Sequence, residues 1–199
     1  MSLFLRVRGA GVIVTALVAT LIGLILPGTA MAATPSPAGA TMAVAVFLAM
    51  AVPVAVAWGC ARGDERLEAV SVRPIRMSDL ALAGAAVGLG GLFALVLYRL
   101  NLAQAGAVSA RAMFTYLGFM LLAAPFVGWR IAPVLPTTFL LFVAVFGRGE
   151  DIAHPATWAW IAADGGDPGS WLLTIALLVC GVLTYVLVRK KTDVSAGDG

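Results

Sequence analysis

Six apolar stretches separated by short charged or turn-rich connections limit what this chain can fold into; they fall at roughly 10–27, 40–60, 80–98, 112–128, 132–147 and 171–188. A hydrocarbon core about 30 Å thick is crossed by about 20 apolar residues in a helix, so each stretch is a candidate transmembrane helix. Strands of a membrane barrel would instead alternate apolar and polar residues, and these runs are continuous. The charge content agrees: 12% of 199 residues are charged and 61% are hydrophobic, where an ordinary soluble domain has about a quarter charged. The mean hydropathy is +1.00. The expected fold is an all-α, polytopic helical membrane protein, with a single transmembrane domain over residues 1–199 and six transmembrane helices.

The first stretch has two readings. Arg6 and Arg8 precede an apolar run, and Pro27-Gly-Thr-Ala30-Met-Ala32 has the small-x-small look of a signal-peptidase site. Cleavage there would leave five helices; the later apolar stretches, which can direct insertion themselves, favour retention. Pro53 in the second stretch is expected to kink it, and Pro133 and Pro136 disturb the start of the fifth, where a tight hairpin or a broken element would both fit.

Charge sets the orientation. With the N-terminus inside and six helices, Arg6, Arg8, Arg62, Arg66, Arg73, Arg76, Arg130, Arg189, Lys190 and Lys191 are cytoplasmic, and only Arg99, Arg111 and Arg148 lie outside. Ten against three follows the positive-inside bias, with both termini cytoplasmic. Eleven Arg against two Lys, with abundant Ala, Gly and Val, points to a GC-rich bacterial genome and hence to a bacterial plasma membrane. The basic residues flank the membrane rather than forming a soluble patch, which argues against nucleic-acid binding despite a pI near 9.2.

Little in the chain reads as catalytic. No HExxH, GxSxG, paired aspartates or GxxxxGK[ST] occurs, so no catalytic residue, metal or cofactor is assigned and no enzymatic activity is expected. No ionisable residue falls well inside a predicted apolar core, which disfavours a self-contained ion-coupled pump. Cys60 and Cys180 have neither a CxxC spacing nor a neighbouring His and read as small buried residues. The 148–170 connection is expected outside the cell, with a short interfacial helix anchored by Trp158, Trp160 and Trp171. Within it Glu150, Asp151 and His154 could meet on one turn and chelate a cation, but a solvated loop is the stronger reading.

The most charged run, within the 61–79 connection, is where a soluble partner would engage. Residues 64–72 can form two helical turns, with Asp64, Glu65 and Glu68 near the start, where the helix dipole favours acids, and Leu67 and Val70 on one face. Arg73-Pro74 ends that helix, because the residue before proline avoids the α region. Arg76 follows, and the third stretch opens with small residues, Gly84, Gly88 and Gly91, at spacings that let another helix approach closely.

Leu67-Glu68, then Pro74-Ile75, then Asp79-Leu80 opening an apolar stretch resembles the cytoplasmic loop between the second and third helices of ABC-2 type transporter permeases. The six-helix plan with a longer outer connection before the last helix is also similar. The resemblance implies a membrane subunit of an ATP-driven exporter that works with a second permease copy, or a related permease, in the lipid bilayer. ATP would be hydrolysed by a separate ATP-binding cassette subunit contacting Glu65, Leu67, Glu68, Val70, Arg73, Pro74 and Arg76. A non-transporting scaffold or accessory subunit of a larger membrane complex is the alternative.

Overall fold

The computed structural model describes residues 9–25, 30–32, 41–62, 75–102, 105–147 and 155–195. Its helices are α1 (Ala10–Ile25), α2 (Val44–Ala49), α3 (Ala51–Cys60), α4 (Ile75–Arg99), α5 (Gly106–Ile131), α6 (Val134–Phe146) and α7 (Pro168–Ser195), with a 3-10 helix at Thr157–Ala162. Between α1 and α2, strands β1 (Ala30–Ala32) and β2 (Thr41–Ala43) pair antiparallel with Met31 opposite Met42. This small ribbon was not expected from the sequence.

Each of the six apolar stretches contains a helix. Three are long and apolar enough to cross a membrane: Met77–Arg99, Gly106–Ile131 and Pro168–Val188. Gly11–Leu24, Val44–Cys60 and Val134–Phe146 are shorter apolar helices; the 13 residues of α6 rise only about 20 Å. Large apolar side chains such as Leu89, Leu92, Phe142, Leu172 and Leu183 point outward, where a soluble protein would carry charge. The chain is a helical membrane protein.

Contacts along the helices fix their directions. Gly9 lies beside Trp58 and Arg62 while Gly23 lies beside Leu48, so α1 runs antiparallel to α2 and α3. Gly106 meets Ala94 and Tyr98, and Gly91 meets Phe114, so α4 and α5 are antiparallel. Phe119 packs on Phe139 at 4.9 Å between ring centroids, as the hairpin of α5 and α6 requires. Thr115 pairs with Thr174 and Trp129 with Tyr185, so α5 and α7 run parallel. The bundle therefore has one end holding Gly9, Arg62, Ile75 and Ile131, here called the lower end, and an upper end holding Ile25, Val44, Arg99, Gly106 and Pro168.

Two local breaks shape the bundle. The second stretch is interrupted at Met50, three residues before Pro53, where the Met50 N–H donates to the Phe47 carbonyl in a tightened turn. The Val46 carbonyl there accepts from the buried Tyr116 hydroxyl at 3.1 Å, so α5 supplies a hydrogen bond at the break. The second break is Gly128, with φ 75° and ψ 163° inside α5. That region is essentially open to glycine alone, and it lets the chain turn within Trp129–Pro133 into α6.

The core forms around α5, which packs against α2, α3, α4, α6, α7 and the 3-10 helix. Met113, Tyr116, Met120 and Leu121 of α5 are fully buried with Val46, Val52, Val56, Val87 and Val143 from its neighbours.

Candidate functional site

Most residues expected to contact a partner, namely Glu65, Leu67, Glu68, Val70, Arg73 and Pro74, lie outside the described residues, as do Arg148, Glu150, Asp151 and His154. Arg76 falls in the first turn of α4. The three glycines separate: Gly91 faces α5, where an added Cβ would come within 2.8 Å of the Phe114 ring, whereas an added Cβ at Gly84 or Gly88 would have nothing within 4 Å among the described residues. At the lower end the Arg62 guanidinium stacks 3.5 Å from the centroid of the Trp58 ring. Among the described residues, no three His, Cys, Asp or Glu side chains gather as metal ligands.

The structure draws its buried polar groups together elsewhere, along the seam between α5 and α7. Arg111, Thr115 and Gly118 follow one another at helical spacing on α5, and Ser170, Thr174 and Gly181 face them from α7. The Thr115 and Thr174 hydroxyls lie 3.0 Å apart, and Thr174 also reaches the Ser170 carbonyl at 2.9 Å. Below them the helices meet backbone to backbone: a Cβ on Gly181 would stand 2.5 Å from the Gly118 carbonyl oxygen, and one on Gly118 would press on Leu177 and Leu178 at 3.1–3.2 Å. Small residues at a crossing let membrane helices approach and let hydroxyls bond across the gap. At the lower end the Trp129 indole donates to the Tyr185 hydroxyl at 3.3 Å.

Arg111 closes the upper end of the seam. Sequence reading puts it in the connection before the fourth stretch; the structure puts it in the second turn of α5, fully buried. Polarity hid this, because the α5 backbone ladder begins at Gly106 regardless of which side chains it carries. The Arg111 guanidinium donates through Nη1 to the Asp164 carbonyl at 2.7 Å and through Nη2 to the Ala163 carbonyl, while its buried Nε has no partner among the described residues. The Trp171 indole donates to the Gly165 carbonyl at 2.9 Å, and a Cβ on Gly165 would stand 2.8 Å from that of Ala107. Residues 155–167 thus lie as a strap against the upper parts of α5 and α7.

The strap is fastened at both ends. At its start the Ala156 N–H donates to the Gly147 carbonyl at the end of α6. Along its length Trp158 packs on Phe142 at 5.2 Å, and Trp160 on Phe139 at 4.9 Å. At its end Asp167 caps α7, accepting from the Ser170 N–H at 2.9 Å, the Gly169 N–H at 3.3 Å and the Ser170 hydroxyl. The Ser170 hydroxyl and N–H, then the Gly169 N–H and the nearby Arg111 charge, hold the Asp167 carboxyl below the usual aspartate range.

By its sequence Arg111 belongs to the outer connection before the fourth stretch. The detectable signal was Arg111, Thr115 and Gly118 at i, i+4 and i+7, which share one helix face. No protein-family model matches this chain, and comparison with curated proteins and with solved structures returns no match.

Proposed function

We propose that the chain is the membrane-spanning permease subunit of an ATP-driven exporter of the ABC-2 class: six transmembrane passes in a bacterial plasma membrane, both termini cytoplasmic, paired with a second permease copy and a separate ATP-binding cassette subunit. One observation carries the reading. The charged connection lies in the chain between α3, which ends at Cys60, and α4, which begins at Ile75, and both helices pack on α5. A soluble ATPase gripping that connection would pull on two helices that contact the hub of the bundle. The alternating helix directions support the six-pass plan, and the spread of arginines and lysines supports its sidedness. The fully buried Val, Met and Leu side chains fill the space around α5, so the path would form between copies.

That same filled interior favours a second reading, a non-transporting scaffold or accessory subunit whose open α4 face at Gly84 and Gly88 holds another membrane protein. One experiment separates the two. The tagged chain is purified from its own host's membranes in mild detergent, alongside a variant with residues 64–72 replaced by a Gly/Ser linker. The permease reading expects a P-loop ATPase to copurify with the first and be lost from the second. An ATPase retained by the linker variant defeats coupling through this connection, and no ATPase with either protein favours the scaffold.

A further inference from the structure

We propose that residues 155–167 form a strap that lifts reversibly as a unit from the upper end of the α5–α7 seam, and that Arg111 is the latch that holds it down.

The polar fastenings are few and specific. Over the seam itself, Arg111 bonds the carbonyls of Ala163 and Asp164, and Trp171 bonds that of Gly165. The Asp164 carbonyl also accepts from the Asp167 N–H at 3.1 Å, so the latch grips the turn that leads into α7. Away from the seam, the Ala156 N–H bonds the Gly147 carbonyl at the end of α6, and the other contacts among the described residues are apolar or aromatic, through Ala159, Ile161, Trp158 and Trp160.

Two opposing terms give the closed state a competitor. Closing buries Ala159 and Ile161 in the core and half-buries Trp160 against Phe119 and Phe139, which favours the docked strap. It also removes a guanidinium from water while leaving its Nε, and the buried Trp160 Nε1, without an acceptor among the described residues; both groups regain hydrogen bonds when water enters. The strap is itself poorly braced: its helix is 3-10, with Ala159 at a non-helical φ −92°, ψ 38°, and such helices have weaker hydrogen-bond geometry. Segments with these traits open below the free energy of global unfolding. Lifting uncovers Ser170, Thr174 and Thr115, which become the first buried polar groups reached from the upper end.

A guanidinium can serve two adjacent carbonyls at once because its donors sit in a rigid fork; a lysine ammonium at the same position is a single point charge on a flexible stem. Arg111→Lys therefore keeps the charge and loses the grip. Arg111 is a positioning residue in this scheme.

The test is amide hydrogen exchange on the full chain in lipid nanodiscs. In the wild type, amides 157–165 are expected to exchange together and at least about ten-fold faster than α5 amides 113–121. Arg111→Lys is expected to raise the strap rates a further ten-fold or more and to leave α4 and the middle of α7 unchanged. Strap and α5 amides exchanging at one common rate in the wild type would overturn the proposal without any variant. So would an Arg111→Lys effect spread evenly over all helices, which marks a general structural role, or no change at all.

Discussion

α5 and α7 run side by side and in the same direction, yet they solve the same problem in opposite ways. Among the three long helices α5 is the least apolar and α7 the most, while half of the most apolar part of α5 is buried against 17% of that of α7. In a soluble protein that order would be inverted, because water selects the apolar helix for the core. Lipid removes that selection: a leucine gains nothing by leaving hydrocarbon for a protein interior, so the inward face is free to carry groups that bond and pack closely. α5 accordingly carries Arg111, Thr115, Tyr116 and Gly118 inward, and α7 exposes Leu172, Leu173, Ile175, Val179, Leu183 and Leu187.

The strongest way to break this contrast is at the crossing. Gly181→Leu drives a side chain into the Gly118 carbonyl and Leu121, and is expected to destabilise by about 3 kcal/mol; Val179→Leu, two residues away on the exposed face, leaves thermal unfolding in detergent unchanged. Next in size is the pivot: Gly128→Ala forces a Cβ into the φ 75°, ψ 163° conformation and is expected to cost about 2 kcal/mol in a denaturant titration. Tyr116→Phe removes the donor to the Val46 carbonyl at the Met50 break, an expected loss of about 1 kcal/mol.

The strap end of the comparison responds to pH. The Asp167 carboxyl is held below its ordinary value, about 3.9, mainly by Ser170. Its contribution is present above that ordinary value and is lost as pH falls through the lowered folded value. Amide protection in the first turn of α7, corrected for the intrinsic pH dependence of exchange, should hold from pH 7 to about pH 4 and fall below it; in Asp167→Asn, where asparagine keeps a capping oxygen, that fall should vanish. The smallest effect belongs to the open face. An added Cβ at Gly84 or Gly88 has nothing within 4 Å among the described residues, so Gly84→Leu and Gly88→Leu are expected to shift stability by less than about 0.5 kcal/mol; loss of oligomers in cross-linking at unchanged stability would show that a partner sits there.

That each apolar stretch would hold a helix was legible because lipid-facing residues dominate each stretch, and lipid imposes long apolar runs that need no tertiary information. Boundaries moved where polar residues sit inside helices. α4 begins at Ile75 rather than near 80, taking in Arg76, Ser78 and Asp79, and α5 begins at Gly106 rather than 112, taking in Ser109 and Arg111. The seam itself was not legible. Arg111 and its acceptors are 52 and 53 residues apart and Thr115 and Thr174 are 59 apart, and no local pattern encodes which faces meet across such distances. Glycines were ambiguous for the same reason: Gly84, Gly88 and Gly91 look alike in sequence, but only Gly91 meets α5.

The parallel course of α5 and α7 also bears on how the protein is made. Hairpin neighbours such as α4 and α5 leave the ribosome in succession and can enter the bilayer as a pair. α7 cannot join α5 until α6 has returned and the strap has been synthesised, a stretch from Gly106 to Pro168 that takes about ten seconds at the slower rates of chain elongation. Throughout that interval the Arg111 guanidinium lacks its two carbonyl acceptors and the Thr115 hydroxyl lacks its partner on α7.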